Sequence, residues 1–68
     1  MKSKWLILTT PDDFIQVSTL VEKRKIEILN RLEQIFVIEV STTKKKAENL
    51  KNVPGVLSVE AEGELTIQ

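Results

Sequence analysis

Two short runs of consecutive apolar residues, Trp5-Leu6-Ile7-Leu8 and Ile35-Phe36-Val37-Ile38, constrain the fold of this chain most. Side chains along a strand point alternately to opposite faces, so a strand that is apolar at every position is apolar on both. Such strands belong at the centre of a sheet. A chain of 68 residues forms one small domain, near the lower limit at which a single core offsets chain entropy.

The segments between these runs supply the other elements. Thr10-Pro11-Asp12-Asp13 reads as a helix start: Thr10 can cap, Pro11 suits the first helical position, and the two acids complement the positive end of the helix dipole. From Asp12 to about Arg24, Phe14, Val17, Leu20 and Val21 recur at three- and four-residue spacing, giving one core-facing stripe. Lys25 to Val40 has no glycine or proline but is rich in β-branched residues, and it is too long for one strand. We therefore expect a hairpin with its turn near Asn30 to Glu33. Ser41-Thr42-Thr43 can cap a second helix running to about Lys51, with Ala47 and Leu50 inward, and Asn52-Val53-Pro54-Gly55 stops it. Its three leading lysines oppose the helix dipole, so it depends on tertiary packing. Val56 to Glu62 alternates with the period of a strand.

The order strand, helix, strand, strand, helix, strand predicts an α+β, ferredoxin-like βαββαβ domain, with a four-stranded antiparallel sheet and both helices on one face. The chain reads as a single domain over residues 1–68, with 63–68 as an extended C-terminal tail. In this arrangement the first and third strands are central. The face without helices then exposes Ile35 and Val37, together with Trp5 and Ile7 or their alternates. An apolar patch of this kind marks a partner surface, a self-association surface that would make a homodimer, or a patch small enough to be tolerated. The tail Glu64-Leu65-Thr66-Ile67-Gln68 keeps alternate apolar residues, as either a frayed end or a peptide that docks by strand addition.

Composition excludes several functions. The chain has no cysteine and no histidine, which argues against a disulfide framework, a metal site, a bound cofactor and catalysis. Ten basic and ten acidic residues cancel, so no global field draws the chain to nucleic acid or to a membrane. The basic runs Lys23-Arg24-Lys25 and Lys44-Lys45-Lys46 read as solvated surface. An RNA-binding sheet needs aromatics beside basic residues on its open strands, and here Trp5 and Phe36 have little charge next to them. The four-residue apolar segment after Met1-Lys2-Ser3-Lys4 is too short for a signal h-region or a membrane span. A cytoplasmic location is the expectation, or an extracellular one if the chain is excised from a secreted precursor.

Three segments together resemble the subtilisin-propeptide family of serine protease inhibitors, which includes small stand-alone fungal and yeast inhibitors. They are Trp5-Leu6-Ile7-Leu8, Phe36-Val37-Ile38-Glu39-Val40, and Leu50 to Glu62 with its Leu, Pro, small residue, Val, Val, Glu, acid pattern. The resemblance implies a non-enzymatic inhibitor, or intramolecular chaperone, of a subtilisin-like serine protease. It implies that the open sheet face rests on two parallel protease helices, and that Glu60 and Glu62 cap the N-termini of those helices. It also implies that Glu64 to Gln68 occupies the substrate cleft like a product, with Leu65 in the fourth pocket before the cut and Gln68 in the first. Where the family commonly has a glycine before the aromatic of the third strand this chain has Ile35, and its second strand, Lys25 to Asn30, is shorter. The alternative is a ferredoxin-like regulatory module that binds an effector or its own copy through the sheet.

Overall fold

The computed structural model of this chain describes residues 2–62. Strand β1 (Ser3–Thr9) leads through a 3-10 turn at Pro11–Asp13 into helix α1 (Phe14–Lys23). The hairpin β2 (Glu27–Leu32) and β3 (Val37–Thr42), helix α2 (Lys44–Leu50) and strand β4 (Val56–Ala61) follow. The sheet is antiparallel with spatial order β2-β3-β1-β4, which is the ferredoxin-like order with β1 and β3 at the centre.

Both helices lie on one face. Phe14, Val17 and Val21 of α1 and Ala47 and Leu50 of α2 share a single core with Trp5, Ile7, Ile38, Val40 and Val59. Ile7, Ile38, Val40, Val21 and Leu50 are fully buried, each contributing roughly 1.5–3 kcal/mol of transfer free energy. Trp5 joins this core, and its indole Nε1 donates to the Thr42 carbonyl at 3.3 Å. Ser18, also buried, donates to the Phe14 carbonyl at 3.0 Å. Among the described residues no buried side-chain polar atom lacks a partner.

The helix starts differ from one another. Thr43 caps α2, its hydroxyl accepting from the Lys46 amide at 3.3 Å. Thr10 does not cap α1; its hydroxyl donates to the Asp13 carboxylate at 2.8 Å, which tightens the turn before the helix.

The hairpin lies further along the chain than its composition suggests. Lys25 adopts a left-handed conformation (φ 61°), its amide bonds to the Glu22 carbonyl, and that of Ile26 to Val21, closing α1 in a Schellman arrangement. Strand β2 therefore starts at Glu27 and runs to Leu32, carrying Asn30 inside the strand after a register shift between Ile28 and Asn30. The turn is Glu33 to Phe36, so Ile35 lies in the turn and not on β3. Phe36, at φ 56°, packs on Phe14 with ring centroids 6.2 Å apart in an edge-on arrangement. Its carbonyl accepts from the Thr9 amide at 2.9 Å, so the turn is tied to both the helix and β1.

Gly55 closes the same end of the sheet, beside the β2–β3 turn. It has φ +94°, its carbonyl accepts from the Thr10 amide at 2.9 Å, and a Cβ there would stand 2.4 Å from the Asp13 Cβ. Gly55→Ala adds left-handed strain to a backbone collision, and we expect a loss of about 2–3 kcal/mol of stability in urea unfolding. A loss below about 0.5 kcal/mol, the ordinary surface scale, would contradict this packing.

Candidate functional site: the open sheet face

The register of the sheet determines which side chains share the face left bare by the helices, because directly paired residues point the same way. One row runs Leu32, Val37, Leu8, Ser58 across β2, β3, β1 and β4. The next runs Asn30, Glu39, Leu6, Glu60. Lys4 pairs with Ser41 in a third row, which Glu62 extends by donating its amide to the Lys4 carbonyl at 2.9 Å.

The face is polarised along the strands. At the end nearest the β2–β3 turn it is apolar, with Leu8 37% and Leu32 41% exposed beside half-buried Val37. Ile35 in the turn is 58% exposed, and Leu57, at the irregularity between β1 and β4, is 62% exposed. At the opposite end the paired rows carry Glu39, Glu60, Glu62 and, opposite Ser41, Glu27, against the cation Lys4. Asn30 donates to the Glu39 carboxylate at 2.8 Å.

Glu39 and Glu62 respond oppositely to sharing this corner. Asn30's hydrogen bond, aided by one from Glu62 and by the charge of Lys4, holds the Glu39 carboxyl below its ordinary value. The hydrogen bond to Glu39 pushes Glu62 up, and partial loss of hydration and the negative charge of Glu39 add to it. While one of the two carboxyls keeps its proton it can donate to the other; once both ionise they repel across the face.

Of the residues singled out in the sequence, Val37, Glu60 and Glu62 come together on this face, while Ile35 flanks it from the turn. Trp5 and Ile7 are in the core, and their alternates Leu6 and Leu8 take the open side. Phe36 faces α1, so neither Trp5 nor Phe36 forms a stacking platform on the open strands. Glu64, Leu65, Thr66, Ile67 and Gln68, the proposed cleft-binding tail, lie outside the described residues. Reading the sequence did not single out Lys4, Asn30 and Glu39; the period of two from Val37 already put Glu39 on the same face. Among the described residues no group of three acids is arranged to hold a metal ion, and no helix is long and apolar enough to cross a membrane.

Comparison with known proteins gives one informative relative. The chain is 30% identical over 66 residues to a thermostable alkaline protease of Halalkalibacterium halodurans, a match that covers 97% of this chain and 18% of the protease. The chain thus spans less than a fifth of the length of that relative. No protein-family model matches the chain, and no solved structure matches it.

The carboxyl pair makes a prediction with a definite sign. A raised Glu62 pKa stabilises the fold while the group is protonated, and that contribution is lost as pH rises above 4.5 through the raised value. The lowered Glu39 works the other way: its contribution is present above 4.5 and lost as pH falls through the lowered value. Glu62→Gln removes the first together with the share of the second that Glu62 supplies, and since the Glu39 contribution is already present above 4.5, the wild type should lose stability relative to Glu62→Gln as pH is raised from 4.5 toward neutrality. Urea midpoints across that range check it; parallel profiles would show that the two carboxyls do not interact.

Proposed function

We propose that this domain is a propeptide-like inhibitor of a subtilisin-like serine protease, acting without catalytic chemistry of its own. The observation that carries the reading is the bare, polarised sheet face. Its apolar rows suit burial under a protein surface, and its acids suit the positive N-terminal ends of helices on that surface. The similarity of nearly the whole chain to a minor part of a protease points to the same partner.

On this reading the protease rests two helices on the open face, with Leu6, Leu8 and Val37 beneath them and Glu60 and Glu62 at their N-termini. A carboxylate opposite unpaired helix amides gains charge-assisted hydrogen bonds, which relieves the crowding of Glu62 against Glu39. Beyond Glu62 the segment Glu64 to Gln68 adds as a strand to the substrate cleft. Backbone pairing supplies affinity there, and Leu65 fills the fourth pocket before the scissile position. The same contacts would let the domain act as an intramolecular chaperone, since whatever binds only the folded protease stabilises it.

Titration against subtilisin with a chromogenic peptide tests the reading. Stoichiometric, competitive inhibition is expected, and no inhibition at micromolar domain would end it. Removing Thr66 to Gln68 should abolish tight inhibition without lowering the melting temperature; equal potency of the shortened chain would refute the role of the tail. Leu65→Asp should weaken binding by about 2–4 kcal/mol, the scale of a hot-spot residue, and a change under about 0.5 kcal/mol would remove Leu65 from its pocket.

A further inference from the structure

Strand β4 is one edge of the sheet, and its outer side is left ready to pair. The Glu62 amide donates to the Lys4 carbonyl at 2.9 Å, so Glu62 and, two residues back, Glu60 turn their backbone groups toward β1. Alternation then turns the N–H and C=O of Val59 and Ala61 outward, and among the described residues no hydrogen bond reaches them from that side. The other edge, β2, is blunted by the irregularity at Leu29, between Ile28 and Asn30. That of β4 falls at Leu57 and leaves Ser58 to Ala61 regular. Beside this edge α2 forms a wall. Trp5, Val59 and Ala61 floor a groove of about 420 Å³ on the helix side of the sheet, and Lys44, Glu48 and Lys51 line it from α2 and its C-terminal end. These three exposed side chains form one stripe, and among the described residues neither lysine makes an ion pair. Lys44 in the first turn opposes the dipole of α2, a placement that does not serve the helix. Glu60 borders the groove but belongs to the open-face row, so the wall itself carries two cations and one acid.

We propose that this groove docks an extended segment of a partner protein bearing acidic residues at alternate positions, which adds to the sheet as a fifth strand beside β4. The segment's residues opposite Val59 and Ala61 point to the helix side, as those two do, and stand roughly 6.8 Å apart. Acids at these positions face Lys44 and Lys51, while the backbone between them pairs with the outward groups of β4. Main-chain bonds supply affinity and the two lysines select for charge. A second copy of this chain fits less well. Pairing two β4 edges about a two-fold axis brings two α2 walls together, with four lysines against two acids. The groove lies on the opposite side of the sheet from the face assigned to the protease, so the inference stands apart from the inhibitor reading.

A capped peptide Ser-Glu-Thr-Glu-Thr-Glu-Ser, titrated into the isotope-labelled full chain and followed by NMR, tests the proposal. Amide shifts at Val59, Ala61 and α2 should saturate by about 1 mM peptide, and the same peptide with lysine in place of glutamate should produce none. Lys44→Glu combined with Lys51→Glu should weaken binding at least roughly 10-fold, and added salt should weaken the wild-type complex. Ala61→Pro removes an edge N–H that the sheet does not use, so it should abolish binding while the melting temperature holds. The lysine variant, changed only at exposed positions, decides the matter if the proline lowers melting. Where the wild type inhibits subtilisin, the lysine variant should inhibit it equally well; loss of inhibition would merge the two surfaces and overturn a separate site. Absence of wild-type shifts at about 1 mM, equal shifts with the lysine peptide, or shifts confined to β2 and the open face would overturn the groove and leave the inhibitor reading standing. Sedimentation that finds a wild-type dimer dispersed by Ala61→Pro would assign the edge to a second copy of this chain and overturn the proposal.

Discussion

Strand β1 is apolar on both sides, but the helices can cover only one of them, and the rest of the molecule is arranged around that imbalance. Trp5, Ile7 and Thr9 go under α1 and α2, while Leu6 and Leu8 come up on the other side of the same strand. The described residues, 2–62, form two helices and four strands and have no further element to lay over the second face. Among the described residues nothing covers Leu6 and Leu8, and an apolar patch of this kind suits a partner surface.

The charged end complements the apolar one. Glu39, Glu60, Glu62 and Lys4 occupy three strands within two rows of one another, and their unequal signs leave a corner with excess negative charge. In water this is a modest penalty, because the groups are solvated. Against the unpaired amides at the end of a helix the same charges become favourable. Glu62 also stands just past β4, where its amide donates to the Lys4 carbonyl and continues the pairing with β1.

Much of this was legible in the chain itself. The stripe Phe14, Val17, Leu20, Val21 identified α1, Pro54-Gly55 marked the entry to β4, and the order of elements led to the ferredoxin-like sheet. Three things were not legible. In a run such as Trp5 to Leu8 both parities are apolar, so alternation cannot decide which side meets the helices; the hydrogen bond from Trp5 to the Thr42 carbonyl goes with the inward choice. The hairpin was displaced because its two left-handed residues are Lys25 and Phe36, neither of them the glycine or asparagine that usually signals such a position. Ile35 then looked like strand, whereas the packing of Phe36 on Phe14 keeps it in the turn. The pairing of Glu39 with Glu62 joins two strands that are not neighbours in the sheet, a relation that local spacing does not encode.

The claim that the bare face is the working surface can be measured directly. In methyl-resolved NMR spectra of the labelled domain, addition of subtilisin inactivated at its nucleophilic serine should shift or broaden Leu6, Leu8 and Val37 and leave Ile15, 73% exposed on α1, unchanged. Perturbation confined to Ile15 and its helix, with the three sheet residues unmoved, would contradict the account.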